Sequence, residues 1–265
     1  MANIGHLHTY KEAHSIKEAV ISFTVTPQIQ NPGEYQKLLA DGKPLASIYQ
    51  RFEPVKTVEV QMNMNASGPH YNVKHDSGFK MIGFKNGSAT DVIQGLNQPN
   101  VGIFTFNTVN YIGWQNFYSQ AIDSATRIVE FNPNYQVRSF NVLFIDEFYF
   151  VENAYQPDEL FRRGSKNLPE GIFDSSVIDY NLVMQREKEK KYYQEEMSIK
   201  VFDETGKKTI RIIGNITFKI DPVPFAQLLK MPELRSHLDF VHNENKANLI
   251  DILKPEISTL IGLQS

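Results

Sequence analysis

Not one cysteine occurs among the 265 residues. Disulfides, thiol nucleophiles, thiolate zinc sites and iron–sulfur clusters are therefore excluded together, and a reducing cytoplasm is the expected location. Charge of one sign is lacking too. With 27 basic and 30 acidic side chains the formal net charge is −3, too little to attract a polyanion over distance, so nucleic acid is not the expected partner. No apolar run reaches the roughly 18 residues of a membrane span. Residues 1–17 carry His6, His8, Lys11, Glu12 and His14 in place of the apolar stretch of a secretion signal, so the chain is expected neither to be exported nor to cross a membrane. Also missing are the short signatures of common enzyme classes: Gly-x-x-x-x-Gly-Lys-Ser/Thr, Gly-x-Gly-x-x-Gly, His-Glu-x-x-His and Gly-x-Ser-x-Gly.

What is present is alternation. Ala19, Ile21, Phe23 and Val25 recur with period 2 up to Pro27, which predicts a strand. Asn31-Pro32 reads as a cap and first helical position, with Tyr35, Leu38 and Leu39 as the apolar stripe of a short helix ending at Asp41-Gly42. Strands are expected at 55–66, 78–85 and 101–107. A long helix then follows, with Trp114, Phe117, Tyr118, Ala121, Ile122, Ala125, Ile128 and Val129 on one stripe. The order recurs in the second half. A long strand, apolar on both faces, spans 135–151 and is expected at the sheet centre; a short helix opens at Pro157; strands follow at 176–186, 192–202 and 208–220; and a final helix starts at Pro232, with Pro255 as a bend. The expected fold is α+β: a duplicated β-α-β-β-β-α unit with antiparallel sheet and helices packed on one face. Its expected divisions are a tail at 1–16, a first repeat at 17–134 and a second at 135–265.

Candidate reactive groups are few. Asp146 and Glu147 interrupt an apolar strand, and Asp146 falls on the Phe144/Phe148 face, where burial raises a carboxyl pKa unless an arginine such as Arg138 or Arg211 meets it. His70, His75 and Asp76 lie in a turn-rich segment that reads as a loop and could supply an acid–base pair or a divalent-metal site. His237 and His242 stand five apart on a helix and splay around it, a poor spacing for a shared metal. The basic clusters at Arg162-Arg163 with Lys166 and at Arg186 to Lys191, beside aromatics, have the character of phosphate-contacting segments, but glutamates dilute the second, which reads as a solvated hairpin tip. Tyr111 and Trp114, at a turn between strand and helix, are aromatics of the type enriched at interface centres, and aromatics make up 12% of the chain.

Several segments together resemble a sporadically distributed family of uncharacterised bacterial proteins of about this length. The strand beginning at Ile16-Lys17-Glu18-Ala19 is similar to that family's opening strand. Phe104-Thr105-Phe106-Asn107 followed by Tyr111, Trp114 and Phe117 is similar to its Phe-x-Phe-Asn strand leading into an aromatic helix. Ile216 to Asp221, Leu238 to Asn243 and Leu249-Ile250 resemble its closing strand and helix. The chain reads Leu143-Phe144-Ile145-Asp146 where the family has Arg-Tyr-Ile-Asn, so no role of that arginine carries over. The patchy distribution implies accessory, mobile genes such as defence systems. The expected function is a non-catalytic protein-binding or assembly subunit that presents an antiparallel sheet face, or the aromatic join around Tyr111 and Trp114, to a protein partner or to itself, with no cofactor and no metal. The alternative is a metal-assisted hydrolase or nuclease-like enzyme using Asp146 with His70 and His75.

Overall fold

The structure is a computed structural model describing residues 3–4, 6–11, 14–61, 70–151, 155–174, 178–204 and 206–263; the side chains of 3–4, 57–61 and 70–76 are outside the description. In chain order the elements are β1 (Asn3–Ile4), β2 (Leu7–Thr9), β3 (Ile16–Thr26), a 3-10 helix (Pro32–Leu39), a second one (Pro44–Ser47), β4 (Arg51–Gln61), β5 (His70–Lys85), β6 (Ser88–Gln98), β7 (Val101–Thr108) and α1 (Trp114–Phe131). Then come β8 (Gln136–Phe150), α2 (Pro157–Leu160), a 3-10 helix (Glu170–Phe173), β9 (Ile178–Lys188), β10 (Lys191–Glu204), β11 (Lys207–Pro224), α3 (Phe225–Leu228), α4 (Pro232–Ile252) and α5 (Pro255–Leu260).

The strands form one antiparallel sheet in the order β4-β5-β6-β7-β3-β8-β11-β10-β9. β2 adds to β8 beyond the end of β3, pairing Leu7 with Phe150 and Thr9 with Phe148. The segment expected as a tail is thus partly sheet, because Leu7 and Thr9 are wholly buried there. The alternation decides the faces. Ala19, Ile21, Phe23 and Val25 of β3 are buried, as are Phe140, Val142, Phe144, Phe148 and Phe150 of β8, and all helices pack on that side. β8 is central, but only one of its faces is covered: Leu143, Ile145 and Tyr149 on the other are half-exposed. Among the described residues no helix is long and apolar enough to cross a membrane.

Several local expectations change. The first half has four strands after its short helix rather than three. β6 was missed because its inward row holds Gly95 and Asn97 beside Ile93, so the apolar alternation is interrupted. Gly95 is small for a reason, since a Cβ there would stand 2.5 Å from the Phe79 ring. The short helix at Pro32 is a 3-10 helix, and Asn31 adopts a left-handed conformation with no side-chain cap. Pro255 starts a separate helix. Of the strand expected at 55–66, residues 62–66 lie outside the described residues.

α4 crosses the sheet closely over Gly214 of β11, where a Cβ would collide with the Asn245 amide. Gly214→Ala is expected to lower stability by about 1 to 3 kcal/mol through overpacking. An unchanged denaturant midpoint would show that helix and sheet are not in tight contact there.

The other sheet face has its own order. Across adjacent strands one transverse row reads Gln94, Thr105, Ser22, Asn141, Thr217 and Gln194, each opposite the next. Ser22 and Thr105 meet through their hydroxyls at 3.4 Å.

Candidate interaction site

The join between β7 and α1 is set by side-chain direction. Thr108 Oγ1 accepts from the Asn110 amide at 3.1 Å and turns the chain at the end of β7. Tyr111 then points inward and is only 6% exposed, edge-on to Phe144, Phe117 and His14. Ile112 points out and is 71% exposed. Gly113, at φ 147°, supplies the bend before α1.

The first turns of α1 are held firmly to α4. Trp114 stacks on His242 at 4.8 Å and 8°, and its Nε1 donates to Asp239 Oδ1 at 2.6 Å. Arg235 donates to Asp239 Oδ2 (2.7 Å) and to Gln115 Oε1 (2.7 Å), and its guanidinium lies 3.9 Å from the Tyr118 ring centroid. Burial alone would raise the Asp239 pKa, but hydrogen bonds from Arg235 and Trp114 outweigh it, so the net shift is downward. Burial, with Lys246 as a smaller cause, pushes His242 down to about 4, so this ring is neutral at neutral pH. His237 packs against Phe140 and Phe218 and donates through Nδ1 to the Glu233 carbonyl at 2.6 Å.

Beneath this junction lies Asp146, 1% exposed. Its Oδ1 accepts from Ser15 Oγ at 2.6 Å, whereas Oδ2 has no hydrogen-bond partner among the described residues. Burial pushes its carboxyl up to about 6, with Ser15 opposing. Burial and then the Asp146 charge raise the Tyr111 hydroxyl. His14 Nε2 lies 3.0 Å from the Tyr111 carbonyl and must donate to it, while burial, then Lys11, lower its pKa.

Glu147 sits on the opposite face, wholly buried. It accepts from Lys17 at 2.8 and 2.9 Å, from Arg211 at 2.8 and 3.0 Å, and from the Tyr149 hydroxyl. Burial would raise its pKa, but these three donors prevail and lower it. Arg211 therefore serves Glu147 rather than Asp146, because it stands opposite residue 147 in the register. Arg138 is exposed and lies toward the other end of β8.

Successive strand residues face opposite sides, so the two carboxylates, although adjacent in sequence, cannot act on one substrate. Nor does the sheet bring the histidine segment near. The backbone of His70, His75 and Asp76 belongs to β5 rather than to a loop, four strands or about 19 Å across from β8 and toward the opposite end of the sheet from Asp146; their side chains are outside the description. Among the described residues no three His, Asp or Glu side chains gather so as to hold a metal. The basic clusters are engaged locally: Arg163 pairs with Asp158, Arg186 with Glu195 and Lys188 with Glu244.

Asp146 and the Tyr111/Trp114 pair, separate leads in the sequence, meet around Phe144. Ile112, Tyr118, Arg235 and Ser15 were missed. The Arg235/Asp239 spacing of four was a readable sign of a helix-surface pair, but nothing local places Ser15 against Asp146. No protein-family model and no curated protein matches the chain.

Proposed function

We propose that the protein is a non-catalytic binding or assembly subunit whose contact point is the α1–α4 junction. Ile112 is the knob that enters an apolar socket on a protein partner. The observation carrying this reading is a 71% exposed isoleucine on a join whose neighbouring Trp114, Tyr118 and Arg235 are already fixed by bonds to α4 or to each other. Side chains ordered before binding lose little entropy on contact, and Trp, Tyr and Arg are the types that dominate interface energetics. A bacterial defence system, implied by the family resemblance, would supply such a partner.

The test is capture of the tagged protein from its native host, comparing wild type with Ile112→Asp and with Val183→Asp at the distant β9 edge. Wild type and Val183→Asp are expected to retain one stoichiometric partner, and Ile112→Asp to bind it at least tenfold more weakly. Equal retention by all three variants would defeat the reading.

The chain is also read as two related halves, 17–134 and 135–265. In support, each opens with a strand that pairs with the last strand of the meander that follows, giving β5-β6-β7-β3 in one and β9-β10-β11-β8 in the other, and β3 and β8 join the two in the middle. β4 has no counterpart in the second half.

A further inference from the structure

The open sheet face is independent of the junction, and its chemistry is unusual for a surface in water. Its central part spans β6, β7, β3, β8 and β11, and between the border charges Glu18, Lys219 and Arg211 its outward positions hold only hydroxyl, amide and aliphatic side chains. Charge depletion of this kind distinguishes interface centres from ordinary surface. The row from Gln94 to Thr217 is flanked by Val92, Asn107, Val20, Leu143 and Asn215 on one side and by Leu96, Ile103, Thr24 and Ser139 on the other.

We infer that this face docks against the same face of a second copy of the chain. Hydroxyls and amides both donate and accept, so a row of them complements itself, whereas a charged row would repel its own copy. A two-fold axis lying in the interface, either along the row or along the strands, sets the polar row on the polar row. The flanking rows, mixed aliphatic, amide and hydroxyl with Lys219 only at the border, then meet rows that are likewise without charge over the centre. Five strands at about 4.8 Å and about 20 Å of strand length give about 500 Å² per copy. That is somewhat below the roughly 800 Å² per partner of a standard interface, so the dimer is reversible with a dissociation constant of micromolar order.

Sedimentation velocity over a concentration series tests this with the full chain. Wild type is expected to shift from monomer to dimer, and Gln94→Lys and Thr217→Lys, whose side chains point away from the core, to weaken the dimer at least tenfold. Ile112→Asp is expected to leave it unchanged, so failure here and failure of the junction reading are separable. A monomer at about 100 µM, a concentration well above a micromolar dissociation constant, would overturn the proposal. So would a dimer indifferent to both lysines, or one abolished by Ile112→Asp.

Discussion

Replacing Asp146 by Asn is expected to make stability fall by about 2 kcal/mol relative to the native chain as pH drops from about 6.5 to 4.5. Two buried groups oppose each other there. Asp146 titrates at about 6 in the folded protein against 3.8 in an open chain. Its penalty is absent below the lower value, grows between the two and is constant above, so acidification through this window relieves it. His242 titrates at about 4 when folded against 6.5 when open. Its neutral burial is harmless above the upper value and increasingly unfavourable as pH falls. Each effect is worth about 2 kcal/mol over the window, that of His242 after a discount for its partial exposure. Glu18, raised by burial, sides with Asp146, and His14 sides with His242. His242→Gln should accordingly show the reverse slope, gaining stability on acidification. Thermal melting across the window reads both, at about 2 to 4 °C per kcal/mol for a chain of this size. Parallel profiles for the native protein and both variants would refute the assignment.

Glu147→Gln is expected to cost about 3 kcal/mol, the largest loss from any single carboxylate. Lys17 and Arg211 are 30% and 29% exposed, so they keep some water when Glu147 loses its charge, yet they face each other across a buried position with no anion between them. The contrast is Glu130→Gln, which breaks an ion pair with Arg127 whose side chains are 57% and 44% exposed. There the loss should stay below about 0.5 kcal/mol. Denaturant unfolding of the two variants decides the matter, and similar midpoints would mean that the Glu147 cluster contributes no more than a surface pair.

The long strands were legible because β3, β8 and β11 carry unbroken alternation, and a strand with one face buried has its register set by that pattern. β6 was not, since its inward glycine makes room for the Phe79 ring and so removes the apolar residue that would have marked the strand. Asp146 was visible as a polar residue on an apolar row. Its surroundings were not, because Ser15 comes from the border of another strand and Tyr111 from the join between β7 and α1. Strand parity explains the one mistaken partner: Arg211 shares a face with Glu147 and so cannot reach the neighbouring aspartate.

The place of β3 in the sheet has a consequence for how the chain is made. β3 is the first long strand of this sheet to be made, yet it ends between β7 and β8, so Phe23 waits for Phe104 and then for Phe140 before both its edges are closed. Contacts so distant in sequence form slowly. Until β8 emerges, β3 presents a free apolar edge at the centre of an unfinished sheet, and in that interval the nascent chain is most exposed to strand exchange with a neighbouring copy.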